Sequence, residues 1–136
     1  MTIEIGTKHE VTTLVSEKNT AKTMGSGSLG VFATPAMIAL MEQAASELCN
    51  KFADEGTTTV GTQMNISHLS ATPLGVQVTA TAEVTSCDGR KICFDVSAFD
   101  SAGLIGKGTH ERFCIKIDKF MAKTNLKSSA STRTPF

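Results

Sequence analysis

Three side chains in this sequence have the types that hydrolytic chemistry needs: the hydroxyl of Thr34, the carboxylate of Glu42 and the imidazole of His68. A hydroxyl can attack an acyl group or position water. An imidazole titrates near neutral pH without help, and a carboxylate can fix its tautomer and stabilise its charged form. Thr34 stands directly before Pro35 at the head of "TPAMIALMEQAASELCNKFA". Glu42 follows on the same segment, and His68 comes near the end of "TTVGTQMNISHL". Each has a plain structural explanation as well. Thr34 before Pro35 reads as a helix N-cap with proline at the first helical position. Glu42 falls within the apolar sector of a helical wheel but close to its border, where its head can reach water. His68 follows Val60, Thr62, Met64 and Ile66 on one face of an alternating run, as a hydrogen-bonded core histidine would. Gly61 interrupts that run, the mark of a bulge or of close approach by a ligand.

The elements that must position these groups follow from periodicity. Apolar residues recur at helical spacing from Pro35 to about Ala53, and Gly56 offers a stop. Residues 8–15 can form a first strand. Residues 16–30, "SEKNTAKTMGSGSLG", are polar and glycine-rich and read as a loop or lid. After the helix the pattern is strand-like: 58–69, 76–86, 91–99 and 104–117, with Asp88-Gly89 as a tight hairpin signal. Val76, Val78, Ala80, Ala82 and Val84 form one inward row, and Ile92, Phe94, Val96 and Ala98 another. This order predicts an α+β fold, an antiparallel sheet of about five strands wrapped around one long helix. An open sheet edge favours pairing with a second copy, so a homodimer is expected. The domain is expected to span residues 1–119, with 120–136, rich in Ser, Thr and Lys, as a disordered tail.

Composition excludes several classes of function. Thirteen basic residues balance thirteen acidic ones, so no basic field points to nucleic acid and no polybasic run to a membrane surface. No apolar run approaches the length of a membrane span. The start of the chain has no basic region followed by an apolar stretch, and a cytoplasmic location is the expectation. Cys49, Cys87, Cys93 and Cys114 show no metal-ligand spacing, which predicts reduced thiols and no structural metal.

The blocks "VFATPAMIALME", "TTVGTQMNISHLSATPLG", "DGRKICFDVSAFD" and "GLIGKGTHERF", in this order and spacing, resemble the fluoroacetyl-CoA thioesterase-like branch of the hotdog-fold thioesterases. The resemblance runs from about Val31 to about Ile117. It implies a hotdog fold and hydrolysis of short-chain acyl-CoA thioesters with no cofactor. It assigns the catalytic roles to Thr34, Glu42 and His68, and it places Gly61 beside the thioester. Phe32, Pro35, His110 and Arg112 complete the expected substrate-binding set. One departure stands out. The region "TMGSGSLG" has no aromatic residue before Phe32, whereas the fluoroacetyl-specific enzyme carries an aromatic lid, so a broader short-acyl preference is expected. A hotdog hydratase or dehydratase and a non-catalytic acyl-CoA-binding module are the alternative readings.

Overall fold

The computed structural model describes residues 1–133. Five strands form one antiparallel sheet in the order β1-β3-β4-β5-β2. They are β1 (Lys8–Leu14), β2 (Thr57–His68), β3 (Gln77–Asp88), β4 (Lys91–Asp100) and β5 (Gly103–Lys116). The long helix α2 (Thr34–Asn50) packs mainly on β1, β2 and β3, and a short helix α1 (Ala21–Met24) precedes it. β1 and β2 are the free edges.

The alternating rows explain why the helix docks on this face. Val78, Ala80, Ala82 and Val84 of β3, with Ile92, Phe94, Val96 and Ala98 of β4, are buried. Against them α2 turns Met37, Leu40, Met41, Ala44, Ala45, Leu48 and Cys49, a spacing of three and four residues. Alanines on both surfaces let the helix axis come close to the sheet. Gly106 serves the same end, because a Cβ there would lie 2.6 Å from the Met37 sulfur. The β3–β4 hairpin closes at Asp88↔Lys91, with Gly89 in the left-handed region at φ 63°. All four cysteines are free thiols, and among the described residues no helix is long and apolar enough to cross a membrane.

Four expectations need correction. The helix stops at Asn50 rather than near Ala53, which leaves Phe52 half exposed. Residues 16–30 are more ordered than a loop. Glu17–Asn19 form a 3₁₀ turn, and Thr20 caps α1 by accepting from the Thr23 N–H. The expected disorder from residue 120 gives way to a third helix, α3 (Ile117–Arg133), with residues 134–136 outside the described part. Met, Ala, Leu and Lys favour a helix there, although α3 barely touches the sheet and its side chains through Ser128 are exposed. The fourth correction concerns β2. Its pairing with β5 slips between Gly61 and Gln63, so Thr62 is an extra residue. Thr59 is buried before the slip, whereas Met64, Ile66 and His68 turn inward after it. Val60 and Thr62 therefore do not share His68's face. Thr62 is fixed in the bulge by its hydroxyl, which donates to the Glu111 carboxylate at 2.6 Å.

Candidate active site

Thr34 is the first residue of α2, not its cap. The cap position belongs to Ala33, which has no side chain to bond the helix end. The Thr34 hydroxyl is thus released from capping and lies 2.7 Å from Nδ1 of His68, the last residue of β2. The other ring nitrogen, Nε2, is buried and has no hydrogen-bond partner among the described residues. Burial pushes the His68 pKa below its ordinary value, against a smaller upward pull from the Ser70 backbone. The imidazole is therefore neutral at physiological pH. Nδ1 can accept the Thr34 proton when Nε2 carries the ring hydrogen.

The surroundings of this pair are tied together by backbone bonds. The Phe32 N–H donates to the Thr72 carbonyl at 2.9 Å and the Ala33 N–H to Asn19 at 2.9 Å. Thr72 is fully buried, and its hydroxyl donates to Asp100 at 2.8 Å. Asp100 thus fixes the 69–73 segment that follows His68. A cleft of about 270 Å³ opens beside the pair, walled by Phe32, Val31, Leu69 and Ala71, with Ala21 and Ser26 on the lid side. Phe32 is buried, so it serves as a wall. Pro35 is exposed and does not line the cleft.

Glu42 lies elsewhere. Eight residues along α2 is about 12 Å of rise, and no hydrogen bond joins Glu42 to His68 in the described chain. Its side chain is 44% exposed, and its Oε2 is 4.0 Å from Nη1 of Arg112. Gly61 makes room for it: a Cβ there would sit 2.8 Å from Glu42 Oε2 and 3.2 Å from the His110 ring. A side chain here would displace the Glu42 carboxylate and crowd the His110 ring, so the glycine serves space and not backbone conformation.

His110 and Arg112 are not strand-surface residues. They are 3% and 6% exposed, on the inner face of β5. Arg112 donates from Nε to the Thr59 hydroxyl at 2.8 Å and from Nη2 to the Thr59 carbonyl at 2.9 Å. His110 donates from Nδ1 to the Gln63 carbonyl at 2.8 Å, which leaves Nε2 to accept from Arg112 Nη1 at 3.2 Å. Burial, helped by the adjacent guanidinium, lowers the His110 pKa. The sequence signal for their burial was parity: once β5 pairs with β2 and β4, His110 and Arg112 fall opposite Phe94 and Ile92.

The chain thus holds two polar clusters on one sheet face: a hydroxyl–imidazole pair at the end of β2, and a carboxylate–glycine–guanidinium group at its middle. The pair can deprotonate a hydroxyl or a water. The group can hold a carboxylate in place beside an anion-tolerant guanidinium.

Comparison with known proteins points the same way. Residues 15–118 match the family model described as FlK, fluoroacetyl-CoA-specific thioesterase. The chain is 43% identical over 100 residues to the fluoroacetyl-CoA thioesterase of Streptantibioticus cattleyicolor, covering 74% of this chain and 72% of that protein. It superimposes on the solved structure of the fluoroacetyl-CoA thioesterase FlK with a TM-score of 0.88 at 34% identity, covering 93% and 98% of the two chains. A thioesterase superfamily member from Thermus thermophilus shares the fold at a TM-score of 0.90 and 24% identity, with 98% of each chain covered.

Proposed function

This chain belongs to the fluoroacetyl-CoA-specific thioesterase family, and from that membership we propose that it hydrolyses short-chain acyl-CoA thioesters to the free acid and CoA. The observation that carries the reading is the 2.7 Å contact between Thr34 Oγ1 and His68 Nδ1 at the start of a helix. His68 is the general base. It takes a proton from Thr34, or from a water that Thr34 positions, as the oxygen attacks the thioester carbonyl; the tetrahedral adduct then collapses with cleavage of the C–S bond, the imidazolium returns its proton to the CoA sulfur, and where Thr34 is the attacking group a water activated by the same base hydrolyses the acyl ester. The free N–H groups and partial positive charge at the start of α2 stabilise the oxyanion that forms.

Base action at Nδ1 puts the ring proton on Nε2, which needs an acceptor as positive charge develops. Among the described residues of one protomer Nε2 has no hydrogen-bond partner. A homodimer in which the two β2 edges pair antiparallel about a two-fold axis supplies one. Each strand's Gly61 region then approaches the partner's His68, and the partner's Glu42 meets the imidazole. Glu42 on this reading orients a histidine of the other subunit, and Gly61 keeps the space between them open for the acyl group.

The lid bears on the choice of acyl group. Residues 22–30 are exposed and carry no aromatic side chain, so nothing large closes on the acyl carbon. Acetyl and fluoroacetyl groups should be handled with similar efficiency.

The test is a thiol-release assay over a panel of acyl-CoAs, run alongside an assay for double-bond formation. Thiol release with short acyl groups supports the reading. Hydration without thiol release, or tight binding without turnover at every chain length, would refute it. Mixing Glu42→Ala and His68→Ala proteins should restore activity through mixed dimers that each contain one intact site. No restoration would mean that Glu42 acts within its own subunit.

A further inference from the structure

On the edge of the sheet opposite β2, the first strand brings His9 against the outer turns of α2. Gln43 and Glu47 of the helix and Lys51 at its C-terminal cap are one turn apart. A glutamate four residues before a lysine ordinarily pairs with it directly. Here an imidazole comes between them. His9 donates from Nε2 to Glu47 Oε1 at 2.9 Å, and its Nδ1 lies 3.0 Å from Lys51 Nζ. Glu47 Oε2 accepts from Gln43 at 2.8 Å, so both carboxylate oxygens are engaged. The bond from His9, with that from Gln43, holds the Glu47 carboxyl below its ordinary pKa. A lysine ammonium can only donate and an ionised carboxylate can only accept. The tautomer of His9 is therefore fixed, with the ring hydrogen on Nε2 and the Nδ1 lone pair toward the lysine.

Other lysines are placed differently. Lys8 faces Glu83 at 3.5 Å and Lys91 faces Glu111 at 3.2 Å, carboxylates that favour the ammonium form. Lys51 faces a nitrogen base and is exposed. An amine beside an imidazole that a carboxylate orients is the arrangement of a nucleophile, its base and a positioning residue. We propose that Lys51 is a site of self-acylation, its ε-amine taking the acyl group of an acyl-CoA thioester with His9 as base and Glu47 positioning the ring. The donor is the one named by the thioesterase reading given above, and the site is separate from the Thr34–His68 pair. The neutral fraction of the amine donates an N–H to His9 Nδ1 and keeps its lone pair for attack on the thioester carbonyl. As the C–N bond forms the nitrogen becomes acidic, and His9 takes its proton while Glu47 stabilises the imidazolium. The tetrahedral adduct then collapses with cleavage of the C–S bond, and His9 passes the proton to the departing sulfur. The products are an amide on Lys51 and free CoA.

The probes are acetyl-CoA and acetyl-N-acetylcysteamine, each supplied in excess to the wild type, His9→Gln, Glu47→Gln and His68→Ala. Acetylation at each lysine is followed by peptide mass spectrometry. In the wild type Lys51 should be acetylated at least about tenfold faster than Lys8, a modest part of what a positioned base contributes. Lys8 is a fair reference because its side chain is 64% exposed. His9→Gln keeps a donor for Glu47 and an acceptor for Lys51 but cannot take a proton, so Lys51 should fall to the rate of Lys8. Glu47→Gln should give a smaller fall. Both variants should keep the wild-type kcat/KM for thiol release, which also shows that they are folded. His68→Ala should label Lys51 as fast as the wild type. Equal rates at Lys51 and Lys8, or an unchanged rate in His9→Gln, would overturn the proposal. Loss of labelling in His68→Ala would overturn it too, because the acyl group would then come through the hydrolytic site. If Lys51 is labelled and no thioester is turned over, the enzyme reading fails and the acylation site stands. If thioesters are hydrolysed and Lys51 is labelled no faster than Lys8, the reverse holds.

Discussion

His68 and His110 lie on the same face of the same sheet, and burial lowers the pKa of both. They differ in what their nitrogens are doing. His110 has both committed, one to the Gln63 carbonyl and one to Arg112, and its ring stacks on Phe94 with centroids 5.9 Å apart. His68 has one nitrogen on an exposed hydroxyl, and the other has no hydrogen-bond partner among the described residues. A histidine whose nitrogens are both engaged by fixed groups is a structural part. A histidine with one reactive neighbour and one open position can move a proton. His110 is also the more deeply buried of the two, but the difference that bears on proton transfer is unspent hydrogen-bonding capacity.

The sharpest way to break this contrast is to remove each ring. His68→Ala should lower kcat for thiol release by roughly 10²–10⁴-fold, the range for a lost general base, and change the melting temperature little. His110→Ala should do the opposite. It leaves Arg112 and the Gln63 carbonyl short of partners at a cost of about 1–3 kcal/mol, readable as a lower melting temperature, with kcat changed less than in His68→Ala. If the two variants lose activity equally while folded, the distinction between the histidines is wrong.

Gly61→Ala tests the carboxylate end. A Cβ at 2.8 Å from Glu42 Oε2 must push the carboxylate aside. A reacting group displaced by an ångström can cost about 10²-fold, so kcat should fall by that order with stability nearly intact. Thr34 gives a finer test. Because Ala33 holds the cap position, Thr34→Ala should not weaken the helix start, and thermal melts should overlay the wild type. Thr34→Ser should retain clearly more activity than Thr34→Ala; equal activity in the two would remove the hydroxyl from the reaction.

The smallest effect is in pH. A base whose pKa is depressed stays neutral to lower pH, so the acid limb of kcat should fall below pH ~6.5, the ordinary histidine value. Stability follows the same sign. With both folded pKa values below the unfolded one, the unfolded chain takes up protons first. The stability contributed by the two neutral histidines is whole above about pH 6.5 and is lost as pH falls through the folded pKa values. Part of that slope should vanish in either single variant. An acid limb of kcat centred above pH 6.5 would contradict a buried neutral base.

Much of this arrangement was legible in the residues. The inward rows of β3 and β4 are strict alternations, and strict alternation has one solution when a helix must be covered. Thr34 and His68 could be named but not joined: their contact depends on where two elements 34 residues apart end. Glu42 was the subtler case. The wheel put it at the border of the apolar sector, where its half-exposed side chain lies, but a wheel carries no axial coordinate, and helical rise separates Glu42 from Thr34 and from the His68 of its own chain. His110 and Arg112 entered the expected substrate-binding set through the resemblance, and nothing in their polar side chains announced burial. Only the pairing of β5 on both sides reveals that their row is the buried one. The helix beyond Ile117 was missed because serine and threonine content was weighed above the helix propensity of the residues between them.

The bulge at Thr62 gives β2 a parity. From Gln63 onward each residue's face is fixed by its count from that one extra position, which Glu111 and His110 pin from the neighbouring strand. Deleting a single residue between Gln63 and Ser67 would turn His68 out of the site without changing its chemistry or the length of the strand by more than one step. Deleting two would return it to the correct face and shorten its reach. Insertions and deletions in this stretch of the strand are therefore read by their parity.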